Sequence, residues 1–446
     1  MFRNRLALIF AFVFIDLLGY SLFLPLLPFY AGTLGATPVL VGMLVASNAL
    51  AQLIAAPIIG RLSDRLGRRP MLIVSVSGTL VGFLLLGLVE PLGRLLAGVA
   101  SGRIGVGAAV LAMLFFSRIV DGLAGGDISL AQAYVTDVTD DKDRARGLGM
   151  IGAAFGIGFI IGPAMGGVLS NWGYAVSASA AVGLSRYAVP AFVAVLLSAL
   201  NLLGIILWLP ESLPPEKRNL MAKSPRSAFT ARCLWNCLNR PRFGTLLNAR
   251  FFYMLGFTTF TANFALYAQY RLRLGDQATS YILTYVGVLV VLVQGVAIGR
   301  LAARFQEARL IFSGVSLMAL TLLAWAFVPN VPLLLLVLAP LALASGVLNT
   351  ITNSAMTKAV YHEEVGGALG LSSSLDSLTR VIAPAVGGLL LQQWGGAALG
   401  VSGALVLSWV VFYVWRRLIV HPVPPLPARG GEQVLPSSPE NGKTRR

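Results

Sequence analysis

Twelve apolar runs, each about as long as a bilayer is thick, leave this chain little choice of solvent. A spanning helix needs about 20 mostly apolar residues. Such runs are centred near Phe14, Leu50, Val81, Ser117, Phe159, Leu197, Phe260, Val290, Leu320, Pro340, Leu378 and Leu407. They use most of the 446 residues, so no large soluble domain fits beside them. Charged residues make up 12% of the chain, against roughly 25% in an average soluble protein, which excludes an ordinary cytosolic enzyme. The amino terminus, Met1-Phe-Arg-Asn-Arg5, leads into an apolar run that reaches about Phe29 without a small-residue cleavage site. That run reads as a retained first helix rather than a secretion signal.

The net charge of +16 becomes informative once it is sorted by loop. With the amino terminus inside, one side collects Arg3 and Arg5, the Arg61 to Arg69 turn, Lys142, Arg144 and Arg146, and the basic stretch from Lys217 to Arg250. Arg300, Arg304, Arg309, Lys358 and the tail from Arg416 fall on the same side, whereas Arg94, Arg103, Arg186, Arg271 and Arg273 face the other. Arg118 and Arg380 remain within helices. The positive-inside rule then puts both termini in the cytoplasm, and the basicity needs no nucleic-acid partner. A polar, proline-containing stretch separates six helices from six, which predicts a bundle over 1–210, a linker over 211–246, a second bundle over 247–418 and a disordered tail over 419–446. Within the linker, Arg226 to Asn239 has the mixed character of a short interfacial helix. Cys233 and Cys237 stand four apart, with His362 and His421 elsewhere, and imply no disulfide framework, metal site or cofactor.

The two halves echo each other. Gly60-Arg-Leu-Ser-Asp-Arg65 returns as Gly299-Arg-Leu-Ala-Ala-Arg304, and Ile161-Gly-Pro-Ala-Met-Gly-Gly167 returns as Ile382-Ala-Pro-Ala-Val-Gly-Gly388. Such repeats are the mark of carriers that bind cargo between two bundles near mid-membrane. Asp64 has only Ala303 opposite it, so the two connecting loops differ in chemistry.

Several charged residues lie where hydrocarbon tolerates them poorly. Asp16 comes ten residues after Leu6, roughly 15 Å along a helix at about 1.5 Å per residue, in a core about 30 Å thick. It must face a wet cavity, pair with a cation or take up a proton. Arg118 and Asp121 are three apart in the fourth run and can meet on one helical face, with Asp127 further along. In the eleventh run Ser372, Ser373, Ser374, Asp376 and Arg380 form a polar stripe, and the last two are spaced to pair. Asn263, Tyr267, Gln294, Asn349 and Asn353 can add hydrogen bonds to a cavity, and Phe23, Phe252 and Phe257 can stack on a flat ligand.

The turn Gly60-Arg-Leu-Ser-Asp-Arg-Leu-Gly-Arg-Arg69 resembles the loop between the second and third helices of the major facilitator superfamily. Asp16-Leu-Leu-Gly19 and Pro25-Leu-Leu-Pro28 resemble the first helix of its drug/proton antiporters, and Arg118 to Gly122 match an Arg-x-x-x-Gly pattern in the fourth. Gly152, Gly156, Gly158, Gly162-Pro163 and Gly166-Gly167 are similar to the antiporter signature of the fifth helix, seen in exporters and generally lacking in importers. The resemblance implies an all-α membrane protein with twelve helices in two pseudo-symmetric bundles, closest to tetracycline and multidrug exporters. It implies proton coupling through Asp16 and Arg118, to which the neighbouring acids Asp121 and Asp127 are added as candidates from their position in the fourth run. It also implies gating through Gly60, Asp64, Arg65, Gly67, Arg68 and Arg69, met by Asp137 and by Arg144 or Arg146. Asn263, Tyr267, Gln294, Asn349, Asp376 and Arg380 are expected around the cargo. The expected partners are a small molecule, protons and the lipid bilayer of the cell membrane, with the chain acting as a monomer. Asp121, Asp127 and the glycine-rich insertion from Gly93 to Gly107 depart from the family pattern and leave the cargo open. Two other classes stay open: a metabolite symporter or uniporter, and a non-transporting scaffold or receptor. The chain offers no nucleophile-base-acid set and no phosphate loop, so an enzyme is not expected.

Overall fold

The computed structural model describes residues 2–100, 104–139, 141–177, 184–213, 240–361 and 365–420. The candidate interfacial helix with Cys233 and Cys237, and the tail from 421, lie outside these residues. The first bundle comprises α1 (Phe2–Phe23), α2 (Leu27–Thr33), α3 (Pro38–Leu66), α4 (Arg68–Gly87), α5 (Val89–Val99), α6 (Val106–Ala124), α7 (Asp127–Val138), α8 (Asp141–Ser177) and α9 (Ala188–Trp208). The second comprises α10 (Pro241–Leu272), α11 (Asp276–Leu292), a π turn (Val293–Ala297), α12 (Ile298–Arg304), α13 (Glu307–Ala326), α14 (Val331–Lys358), α15 (Val365–Trp394) and α16 (Gly396–Val414). Each of the twelve expected apolar runs is centred within one of these helices, and among the described residues eleven spans, all but α10, are long and apolar enough to cross a membrane. The second bundle begins at Pro241, six residues ahead of the expected boundary, because Pro241 occupies the first helical position where its missing N–H is harmless.

Elements end where backbone chemistry requires it. Thr37 and Asn330 cap α3 and α14 by accepting from the N–H of Leu40 and Leu333, with Pro38 and Pro332 in the first turns. Gly67 turns between α3 and α4 at φ 108°, a conformation that a side chain resists. The expected fourth helix is two helices, because Gly125-Gly126 interrupt it and the Ser75 hydroxyl fills the gap, donating to the Ala124 carbonyl and accepting from the Gly126 N–H. A break at membrane depth survives only where its backbone groups are satisfied inside the protein. Part of the glycine-rich insertion is helical as α5, and Gly93 has no room for a side chain against Val110 of α6.

The two bundles meet along α3 with α15 and along α8 with α11. Glycine makes these seams close. A Cβ on Gly42 would lie 2.2 Å from the Pro384 carbonyl oxygen, and one on Gly388 would lie 2.3 Å from that of Pro38. On α8, Gly158, Gly162 and Gly166 form one row against α1, where a Cβ on Gly166 would reach 2.2 Å from the Leu22 oxygen. Gly156 and Gly167 turn instead toward Val291 and Ser280 of α11. The repeat positions behave alike: Gly166 and Gly387 face the first helix of their own bundle, while Gly167 and Gly388 face the other bundle.

These seams are tight at one end only. Gly60, Gly149, Gly152, Gly295, Gly299 and Gly370, at the end bearing the termini and basic loops, have open space where a side chain would stand. The apolar core tells the same story. One cluster fills the second bundle along its length and joins the first bundle at the far end, where Leu22, Phe29, Leu44 and Tyr187 share it with Phe260, Tyr267 and Trp325. The basic end of the first bundle has a separate core built from Leu6, Ile9, Leu72, Tyr134 and Ile151. At the far end Arg186 of the first bundle also reaches Asp276 of the second at 3.5 Å, sandwiched by the Tyr174 and Tyr187 rings.

The close glycines are testable by adding one methyl group. Gly166→Ala should lower the unfolding temperature of the detergent-purified protein, at a cost of about 1–3 kcal/mol from overpacking. Gly152→Ala should be neutral or stabilising by up to about 1 kcal/mol. Equal behaviour of the two variants in a thermal unfolding assay would contradict the packing described.

Candidate functional site

Charge that cannot be left in hydrocarbon gathers in three places. The first is the turn between α3 and α4. Arg68 is buried and bridges Asp64, at 2.8 Å, and Asp137, at 2.9 Å, while also donating to Ser63. Glu211 accepts from the backbone N–H groups of Arg68 and Arg69, at 2.9 and 3.1 Å, and so caps the N-terminus of α4. Ser212 donates to Asp137, and the Arg69 guanidinium donates to the Ile206 carbonyl. Arg61 and Arg65 point outward. The cation that meets Asp137 is therefore Arg68 itself; the side chains of Arg144 and Arg146 lie outside the described residues. In the second bundle the corresponding position is Glu307, which pairs with Lys358 at 2.7 Å, so the charges are reversed.

The second cluster corrects an expectation. Asp376 does not pair with Arg380; it receives two hydrogen bonds from Arg250 of α10, at 2.7 and 3.2 Å. Arg250 also donates to Asn353 at 2.9 Å and Asn349 at 3.5 Å, so both asparagines hold this pair inside the second bundle. A bidentate Arg–carboxylate pair of this kind outcompetes an i, i+4 contact because two parallel bonds fix its geometry. Asn263 and Tyr267 are likewise taken up by packing. The Asn263 amide donates to the Thr259 and Ala383 carbonyls, and the Tyr267 hydroxyl donates to the Trp325 carbonyl. Gln294 lies in the π turn beside Gly346, a helical irregularity that often marks moving or functional segments.

The third cluster surrounds a partly open cavity walled mainly by the first bundle. Asp16, Tyr20, Asn48, Gln52, Asp121 and Asp127 line it from the first bundle, and Arg380 enters it from the second. Asp16 and Asp127 lie within side-chain hydrogen-bonding reach of one another. Asp16 Oδ1 has no hydrogen-bond partner among the described residues. Asp127 opens α7 immediately after the glycine break, and its carboxylate accepts from the Ile128 N–H at 3.2 Å. An acid suits that position because the helix N-terminus carries partial positive charge. Asp121 accepts from Arg118 at 3.3 Å and from Asn48 at 2.8 Å, the i, i+3 pair that the spacing predicts. Arg380 is exposed to the cavity and makes no ion pair among the described residues.

Sequence reasoning missed Glu211, Arg250 and Asn48. Arg250 carried a usable signal, a cation directly before the apolar stretch that begins at Phe251, but it reads equally well as the end of the basic linker. Asn48 is one uncharged polar residue of α3 with Ser47 and Gln52 close by, and Glu211 owes its role to a fold-dependent approach.

Comparison with known proteins agrees with this architecture. A family model described as Major Facilitator Superfamily matches residues 9–360 and 246–441. Solute carrier family 22 member 18 of Mus musculus is 29% identical over 397 residues, covering 88% of this chain and 90% of that protein. Tetracycline resistance protein, class C, of Escherichia coli is 29% identical over 419 residues, covering 91% and 95%. The crystal structure of the human organic anion transporter MFSD10 (TETRAN) shares the fold with a TM-score of 0.64 at 23% identity, over 93% of this chain and 99% of that one.

The pairing of Asp376 separates two variants that sequence spacing treats alike. Asp376→Ala strands a buried guanidinium and should cost about 3–5 kcal/mol, whereas Arg380→Gln removes an exposed charge and should stay within about 0.5 kcal/mol. Denaturation midpoints of the purified variants decide the matter, and comparable losses would contradict the pairing.

Proposed function

Because the chain belongs to the Major Facilitator Superfamily, we propose that it exports a drug-like or hydrophobic small molecule in exchange for protons by alternating access. In this reading it sits in the cell membrane with both termini cytoplasmic and acts as a monomer. Two bundles rocking about a site near mid-membrane are the general device of such carriers. The far-end seam of glycines and the open basic end correspond to one extreme of that motion, with the cavity facing the cytoplasm.

The observation that carries proton exchange is the pair of carboxyl groups, Asp16 and Asp127, in reach of one another on the cavity wall. A hydrogen bond between two carboxyls needs one of them protonated, since an ionised carboxylate only accepts. In this reading the pair shares a proton in a place that cargo also reaches. A proton arriving from outside neutralises the pair and weakens its hold on a bound molecule, and releasing that proton to the cytoplasm readies the cavity again. Arg118 and Asn48 keep Asp121 compensated beside this exchange. Export is supported by the glycine and proline pattern of α8 and by the similarity to a tetracycline resistance protein. The Arg68 network lies within the first bundle in this state, and we assign it to bracing the α3–α4 turn while the cytoplasmic side opens and closes.

The test is proton movement in proteoliposomes holding an imposed pH gradient, on adding tetracycline, ethidium and a neutral hydrophobic drug in turn. Proton release with at least one is expected, and Asp16→Asn should abolish it while binding of that drug persists. Silence with all three, together with uptake of a sugar or amino acid, would reassign the chain to metabolite transport. Absence of any solute flux would make it a scaffold or receptor.

A further inference from the structure

Arg118 is 4% exposed, yet it uses little of its hydrogen-bonding capacity. Its Nη1 donates to Asp121, while Nε and Nη2 have no partner among the described residues. These two nitrogens share one edge of the planar guanidinium, the edge that matches two oxygens of a carboxylate or sulfonate. Buried polar groups are normally satisfied, so an unused edge this deep calls for an explanation. The Phe83 ring, 5.5 Å from the guanidinium carbon, helps to hold the group in place.

Beside Arg118 lies a space of about 290 Å³ lined by Tyr20, Phe23, Leu24, Leu27, Val45 and Asn48. None of these lining residues is acidic. The neighbouring space toward the basic end is lined by Asp16 and Asp127 and contains no cation. Acidic groups thus gather near Asp16 and Asp127, while the space beside Arg118 is lined by that cation and no acid, Asp121 meeting Arg118 through Nη1 alone. Tyr20 and Asn48 line both the Arg118 space and the larger cavity that Arg380 enters, so the two spaces adjoin. Each bundle thus contributes one cation to the surroundings of Tyr20.

We propose that the Nε/Nη2 edge of Arg118 and the side chain of Arg380 form an anion subsite, which receives the carboxylate or sulfonate of an organic anion or zwitterion whose apolar body rests against Phe23, Leu24, Leu27 and Val45. The proposal deepens the transporter reading above and rests on it for the role of the cavity. It names the charge of the cargo: an acidic head toward Arg118 and, in a zwitterion, a basic group toward Asp16 and Asp127. Such a cargo touches both bundles, so its arrival and departure are felt across the seam.

The experiment uses the full chain purified in detergent, with fluorescein as an aromatic anion and ethidium as an aromatic cation, both followed by fluorescence polarisation. Wild type should bind fluorescein. Arg380→Gln should weaken that binding by threefold to tenfold, and Arg118→Lys by tenfold or more, because an ammonium cannot reproduce the two-nitrogen edge. Ethidium binding should be unchanged or tighter in both variants. Arg118 is buried and its replacement can disturb folding, so exposed Arg380 supplies the variant on which the result stands if Arg118→Lys elutes as an aggregate. Failure of wild type to bind fluorescein, or equal binding by wild type and Arg380→Gln, overturns the subsite. Proton release measured in parallel keeps the two readings apart. Arginine-dependent fluorescein binding without proton movement upholds the subsite and refutes antiport, whereas ethidium-driven proton movement without fluorescein binding does the reverse.

Discussion

A charge in hydrocarbon must be answered by a partner within a few ångströms, and the rest of this structure depends on how that demand is met. Breaking a buried ion pair by removing one member costs about 3–5 kcal/mol, so misplaced charges are not tolerated for long. Arg68 is answered by Asp64 and Asp137, and Arg250 by Asp376, Asn349 and Asn353. Both networks close within a single bundle, and each brings together helices distant in sequence. The cavity is different. Asp16, part of Arg118 and Arg380 are left with unused capacity there, and unused capacity is what a site for protons and cargo requires.

The second constraint is closeness. Lipid offers no hydrophobic drive for helices to associate, so contacts rely on small residues that let backbones approach. The glycines of α8 split this task, with one row facing α1 inside the bundle and another facing α11 across the seam. Gly42 and Gly388 repeat the arrangement on α3 and α15. Closure without interlocking side chains forms and separates with little rearrangement, which suits a seam that must open. Arg186 and Asp276 add a polar contact at the same end.

Much of this was legible in the sequence, and the reasons are physical. Span length and apolar periodicity are local properties, so twelve helices and two bundles could be read directly, as could the i, i+3 pair of Arg118 and Asp121. The internal repeat located Gly166–Gly167 and Gly387–Gly388 on equivalent helices before their neighbours were known. What could not be read were partners chosen by tertiary approach. Asp376 had a plausible partner four residues away and took Arg250 instead. Glu211 belongs to the linker by composition and to the N-terminus of α4 by contact. The interruption at Gly125-Gly126 depends on Ser75 of α4 being there to fill it.

The central claim is that opening at one end of the seam and closing at the other are a single motion driven by cavity protonation and cargo. The direct measurement is thiol labelling in a background lacking Cys233 and Cys237, with one reporter cysteine at Ser280 and another, in a separate protein, at Ser373. Ser280 is buried at the far-end seam against Gly167, and Ser373 is exposed on α15 seven residues before Arg380, on the same helical face. Without cargo, the reporter at Ser373 should label quickly and the one at Ser280 slowly. Lowering the external pH with a transported molecule present should accelerate labelling at Ser280 and slow it at Ser373 together. Rates that stay fixed, or that change independently at the two positions, would contradict the account.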